Sequence, residues 1–114
     1  MIPALVLFLI AAAGGLALIG LRIAGKRLPM ALGLIHGAVA ATGLVLLALD
    51  VQKQSNPAKP AVIALALLVL AAVGGFVVFS CHLRRRPIPI PLTIVHALIA
   101  VSGVGSLAIA ILGR

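Results

Sequence analysis

The stretch PALVLFLIAAAGGLALIGL, at residues 3–21, contains no charged side chain. A helix needs about 20 predominantly apolar residues to cross the hydrocarbon core of a bilayer. Three further stretches, at residues 29–49, 61–81 and 89–112, are of similar length and equally free of charge. Because none of them alternates apolar and polar residues as a barrel strand does, all four are predicted to be membrane-spanning helices.

The composition of the whole chain excludes an ordinary soluble domain. Of the 114 residues, 64% are hydrophobic and only 9% are charged, whereas soluble domains carry about 25% charged residues. The net charge of +8 comes from basic residues that lie between the apolar stretches. We therefore interpret these residues as topology signals and contacts to lipid headgroups. Membrane lipids are expected partners, and no nucleic acid is expected.

The charges of the connecting segments predict an orientation in the membrane. Six Lys or Arg residues lie in the first and third connections, against three in the middle connection and at the C-terminus. The positive-inside rule then places the first and third connections in the cytoplasm and both termini outside. We expect the chain in a bacterial cytoplasmic (inner) membrane.

The two halves of the sequence resemble each other when one is shifted by 60 residues. The polar middle connection, with Asn56, Pro57 and Pro60, separates two hairpins at residues 1–55 and 56–114. Both halves contain two spans and so enter the membrane in the same direction, which predicts a pseudo-two-fold axis along the membrane normal. The expected fold is an all-α four-helix bundle of two tandem hairpins. The matched pairs include Gly14 with Gly74, Gly15 with Gly75, Pro29 with Pro89, His36 with His96, and Gly43 with Gly103.

Two histidines inside the spans, His36 and His96, are the strongest candidates for function, because ionisable residues within a membrane are costly. Each lies seven residues after the proline that opens its helix, about 10 Å from the cytoplasmic end. In a sequential up-and-down bundle, helices 2 and 4 occupy opposite corners. Two inward-pointing imidazoles would then leave a gap of a few ångströms, which suits one iron atom bound by both rings.

This arrangement predicts a haem b site with His36 and His96 as metal ligands. The ligand pattern and architecture of helices 2 and 4 resemble those of transmembrane b-type cytochromes, which implies electron transfer with a larger redox complex or quinone. Small residues would make room for the macrocycle, and basic residues at the nearer membrane face would pair with its propionates. The predicted cofactor-binding residues are Gly14, Gly15, Gly43, Gly74, Gly75, Gly103, Arg84 and Arg85, with Lys26, Arg27 and Arg86 on the same face.

Three alternatives to a haem protein stay open. Small residues four apart and intramembrane histidines also serve ordinary helix packing, which favours a cofactor-free accessory subunit of a larger membrane complex. In length and number of spans the chain resembles the small multidrug resistance transporters, which implies a homodimer. That family relies on a glutamate in its first span, and the first span here has no acid. A passive pore is the third alternative. No nucleophile with a base and an orienting acid is recognisable, so we do not expect enzymatic activity from the chain alone.

Overall fold

The computed structural model describes residues 1–113 and contains four α-helices and, within those residues, no strand. The helices are α1 (Ile2–Ile23), α2 (Met30–Gln52), α3 (Lys59–Leu83) and α4 (Ile90–Leu112). The predicted all-α fold is confirmed, and every helix begins and ends within three residues of its predicted span. Arg114, which contributes to the predicted outer charge, lies outside the described residues.

Prolines mark the start of every helix. Pro29 and Pro89 are the N-caps of α2 and α4, and both have extended backbone. In α1 and α3, Pro3 and Pro60 lie in the first turn. The first turn of a helix leaves its backbone N–H groups without intrahelical partners, so proline, which has no N–H, is tolerated there.

All four helices are long and apolar enough to cross a membrane. They contain 22 to 25 residues, which at a rise of about 1.5 Å per residue exceeds the bilayer core of about 30 Å. Large apolar side chains cover their outer surfaces; Leu16 and Phe76, for example, are 71% and 76% exposed. Such a surface requires lipid as its solvent, and we describe the chain as an integral membrane protein.

The four helices form a four-cornered bundle with dimensions of 45 × 21 × 19 Å. Each helix packs against its neighbours in sequence, and α4 closes the ring by contacting α1. The contacts within α1–α2 and within α3–α4 are the most extensive, whereas α2 and α4 lie diagonally opposite each other. The division into hairpins at residue 55 stays a prediction, although these contacts are compatible with it.

The packed core lies at the end of the bundle that contains the N-termini of α1 and α3. Leu47 and Leu107, from α2 and α4, are completely buried there. The other half of the bundle, towards the two basic connections, is more open. Its cavity contains the two intramembrane histidines. The core cluster comprises Ala4, Phe8, Leu47, Ala64, Leu68 and Leu107, which form three pairs separated by 60 residues.

Candidate functional site

The side chains of His36 and His96 meet across the diagonal of the bundle. Their ring centroids are 6.4 Å apart, and the ring planes make an angle of 81°. Both residues are half-buried and both line the same cavity. The backbones of α2 and α4 do not approach each other, so the contact across the diagonal is made by side chains.

Each imidazole is oriented by a hydrogen bond to the preceding helix of its own hairpin. The Nδ1–H of His36 donates to the carbonyl oxygen of Ala11 at 2.7 Å, and that of His96 donates to the carbonyl of Ala71 at 2.8 Å. A carbonyl oxygen can only accept, so each hydrogen bond requires the proton on Nδ1. In the neutral imidazole the Nε2 atom then carries a lone pair.

These Nε2 lone pairs have no protein partner. Neither Nε2 atom makes a hydrogen bond within residues 1–113, and no side-chain nitrogen or oxygen described there is both fully buried and unpartnered. Both atoms must therefore contact the cavity. Two lone pairs cannot hydrogen-bond to each other, so a Lewis acid, a proton donor or water is needed to satisfy them.

Glycines on α1 and α3 explain why the imidazoles reach these carbonyl groups. Gly15 and Gly75 each lie one helical turn after the accepting alanine, where a side chain would cover its carbonyl oxygen. A Cβ atom on Gly15 would lie 3.1 Å from Cε1 of His36, and one on Gly75 would lie 3.2 Å from Cε1 of His96. Each glycine therefore lets an imidazole lie directly on the neighbouring helix.

The other four predicted glycines lie at different distances from the two histidine rings. A Cβ on Gly14 or Gly74 would be at ordinary contact distance from His36 or His96, with nearest atoms at 3.7 and 3.6 Å. Gly43 and Gly103 instead lie against Phe8 and Leu68 in the packed half of the bundle. Of the six predicted glycines, only Gly15 and Gly75 line the histidine cavity.

The histidine cavity has a volume of about 1040 Å³ and is lined by all four helices. Its wall is almost entirely apolar, with many Gly and Ala residues. Such a volume is at the upper end of the range of roughly 300–1,000 Å³ that is typical of ligand sites. By total volume alone, the cavity can hold a ligand of the size of a porphyrin.

A second, basic recess of about 870 Å³ lies at the end of the bundle, between the two basic connections. Arg85 lines it, whereas Arg84 does not belong to its lining. The recess and the histidine cavity share a wall that includes Arg22 and His82. The Nε of Arg22 donates to the carbonyl of Ile88 at 2.9 Å, and the His82 ring packs edge-on against Phe79, with centroids 6.0 Å apart.

Sequence reasoning did not assign Arg22 and His82 to the site, although the signal was present. The two residues are 60 positions apart, the same separation that relates His36 to His96. They occupy the ends of α1 and α3 nearest the histidine cavity. Residues that match under this shift and that are basic in both halves would have been the appropriate candidates.

The protein ligands available for a metal are few. Within residues 1–113 there is no group of three or more His, Cys, Asp or Glu residues that could hold a metal ion. A structural zinc site, which needs about four protein ligands, is therefore not provided. A metal whose other ligands come from a macrocycle needs only two axial ligands, and the histidine pair supplies that number.

Comparison of the chain with protein-family models, curated proteins and solved structures finds no match.

Proposed function

We propose that this chain is a small b-type haem protein of the membrane that transfers electrons, with His36 and His96 as the axial ligands. The observation that carries the proposal is the pair of imidazoles with unpartnered Nε2 atoms in one apolar cavity. Histidine ligands of metals commonly donate their other N–H to a carbonyl or carboxylate, which fixes the ring and its tautomer. The hydrogen bonds from His36 to the Ala11 carbonyl and from His96 to the Ala71 carbonyl are of this kind.

The separation of the rings is compatible with ligation of one iron, and it also falls within the range of about 4.5–7 Å of ordinary aromatic pairs. A metal–nitrogen bond of about 2 Å plus the half-width of each imidazole gives centroids roughly 6 Å apart in a bis-histidine site. The observed separation is 6.4 Å. Haem iron would supply reversible one-electron redox chemistry at this position. The residues of this chain would orient the group and keep it in an apolar environment.

The basic end of the bundle supports an orientation for the propionates. The wall between the two cavities presents Arg22 and His82, and Arg85 lies beyond it in the recess. We infer that Arg22 and His82 would hold the carboxylates through charge-assisted hydrogen bonds. Arg84 is predicted from the sequence as a cofactor-binding residue together with Arg85. Because it does not line the recess, it would attract the propionates only through its charge at the membrane face.

We also infer that a pseudo-two-fold axis along the membrane normal relates the two hairpins. Matching contacts 60 residues apart support it: His36 with Ala11 and Gly15, and His96 with Ala71 and Gly75. The basic connections would face the cytoplasm of a bacterial inner membrane, with both termini outside. Quinone, a larger redox complex or a second copy in a homodimer would exchange electrons with the haem.

A cofactor-free packing subunit is the second candidate function. It is favoured by the same two hydrogen bonds, because each histidine already links two helices of its hairpin without a ligand. Under this alternative the cavity would be filled by lipid chains or by a partner helix. The two candidate functions differ in whether a ligand binds to the Nε2 atoms of His36 and His96.

Replacement of each histidine distinguishes the two candidates. We expect His36→Ala and His96→Ala to abolish haem absorption in the purified protein, since one axial ligand and its anchoring bond are lost together. Ser102→Ala in α4 is the matched control, because the Ser102 hydroxyl donates to the Leu98 carbonyl of its own helix and does not line the histidine cavity, and this variant should keep the haem absorption. Equal haem content in all three variants would contradict axial ligation by His36 and His96.

A further inference from the structure

The basic recess is formed by two connections that leave their helices in the same way. Gly25 and Arg85 both have left-handed backbone, with φ of 71° and 54°. After each helix the chain closes with matching hydrogen bonds, from the Lys26 N–H to the Leu21 carbonyl and from the Arg86 N–H to the Cys81 carbonyl. This is the Schellman closure of a helix C-terminus, for which glycine is the usual residue at the left-handed position. The two closures turn both connections towards one recess.

The recess concentrates positive charge without a compensating acid. Asp50 is the one acidic side chain in the sequence. It lies near the far end of α2, where its Oδ2 is 3.0 Å from the amino group of Met1. Within residues 1–113, the cations of the recess therefore have no carboxylate side chain as a partner. Its basic lining comprises Arg22, Lys26, Arg27, His82, Arg85 and Arg86.

Four of these basic residues lie outside the shared wall. Lys26, Arg27, Arg85 and Arg86 line the recess but not the histidine cavity. They are exposed, and they flank the membrane ends of α1 and α4, at Ile23 and Ile90. Residues at the ends of membrane-length helices are expected at the level of the lipid phosphates. Arginine is well suited to phosphate because its planar guanidinium donates two parallel hydrogen bonds.

We propose that this recess is a binding site for the phosphate of an anionic lipid headgroup, held by Lys26, Arg27, Arg85 and Arg86. Apolar residues at its edge, including Met30 and Leu83, would contact the glycerol and the first acyl carbons. The mixture of basic and apolar groups favours a lipid over free phosphate. The concave shape favours a headgroup over the surface of a protein. Because Arg22 and His82 are the basic residues of the recess that also line the histidine cavity, the other four cations would stay available to a lipid whether or not haem is bound.

Lipid binding by the full-length chain in a non-ionic detergent tests the proposal. Phosphatidylglycerol, phosphatidylcholine and inorganic phosphate are added separately, and bound lipid is measured by native mass spectrometry together with the midpoint of thermal unfolding. We expect phosphatidylglycerol to remain bound and to raise the midpoint. Equal retention of phosphatidylcholine, or an equal rise with inorganic phosphate alone, would overturn the assignment to an anionic lipid.

Variants locate the binding to the recess. Arg27→Gln combined with Arg86→Gln should weaken phosphatidylglycerol binding at least tenfold. Arg85→Gly removes a third cation and places glycine at a left-handed position that glycine favours, so weaker binding by this variant cannot come from a strained backbone. Lys53→Gln combined with Lys59→Gln, at the opposite end of the bundle, is the matched control. Equal loss in the control pair would refute the site.

Discussion

The imidazole of His36 lies against α1 because Gly15 has no side chain to cover the carbonyl group of Ala11. The same relation holds for His96, Gly75 and Ala71. The glycine therefore acts on the histidine and not directly on a cofactor. It lets Nδ1 donate to the backbone, and the tautomer that results leaves Nε2 available as a ligand.

Substitution of the glycine tests this relation at the residue scale. A Cβ on Gly15 would lie 3.1 Å from Cε1 of His36, so Gly15→Ala should displace the ring and weaken the bond to Ala11. We expect a loss of stability on the order of 1 kcal/mol from overpacking, together with reduced haem content. Thermal unfolding and absorption spectra measure the two effects.

Gly20→Ala is the matched control in the same helix. No atom lies within 4 Å of a Cβ built on Gly20, so alanine there should stabilise α1 by up to about 1 kcal/mol through helix propensity. If Gly15→Ala behaves like Gly20→Ala in both stability and haem content, the contact between Gly15 and the His36 ring contributes neither to stability nor to haem binding.

That His36 and His96 lie at one level of the bundle could be predicted from the sequence, but the partners of their Nδ1 atoms could not. Two histidines that recur with the repeat stand out among apolar residues. A backbone carbonyl such as that of Ala11 gives no sequence signal, because its accessibility depends on the rotation of α1 against α2. Nor does sequence distinguish Gly15, which makes room for an imidazole, from Gly43, which makes room for Phe8.

At the scale of elements, Gly103 in the α3–α4 hairpin has the least room for a side chain among the glycines of the helices. A Cβ there would lie 2.7 Å from Cγ of Leu68, whereas one on Gly43 in the α1–α2 hairpin would lie 3.2 Å from Cζ of Phe8. Glycine thus sets how closely each hairpin packs in the core half of the bundle.

Alanine at these positions should separate the hairpins to different degrees. We expect Gly103→Ala to destabilise the protein by about 1–3 kcal/mol, as overpacking of a filled core does, and Gly43→Ala to have a smaller effect. Gly105→Ala, in the same helix but with open space at its Cβ, is the control. Unfolding midpoints that are equal for Gly103→Ala and Gly105→Ala would contradict close packing at Gly103.

The number and approximate position of the helices could be predicted because apolar stretches of membrane length have few other structures available. The ends of the helices could be predicted less well. Helix α2 continues to Gln52 and helix α3 begins at Lys59, so both extend beyond the apolar stretches. Hydropathy registers only the part within hydrocarbon, whereas a helix continues until a turn or proline ends it. Pro57, before α3, belongs to the intervening connection.

At the scale of the whole molecule, the two halves of the bundle have different roles. The half with Leu47 and Leu107 is closed by buried side chains, whereas the half with the histidines contains the large cavity and opens towards the basic recess. Packing in the closed half fixes the distances between the four helices. In the open half, these distances leave the cavity into which the two imidazole rings extend.

The charges of the connections predict the orientation of this asymmetric bundle in the membrane. In a Cys81→Ala background, we expect a membrane-impermeant maleimide to label Lys53→Cys in intact cells, since the middle connection is predicted to lie outside. Arg84→Cys should be labelled only after permeabilisation. The reverse labelling pattern would place the basic recess on the outer face and contradict the predicted topology.

Absorption of the purified, folded wild-type protein decides whether this chain binds haem. With haem supplied during expression or added afterwards, we predict about one haem per chain and a reduced-minus-oxidised spectrum typical of bis-histidine b-type haem. A folded protein that stays colourless after haem is added would contradict the proposed function and leave His36 and His96 as packing residues.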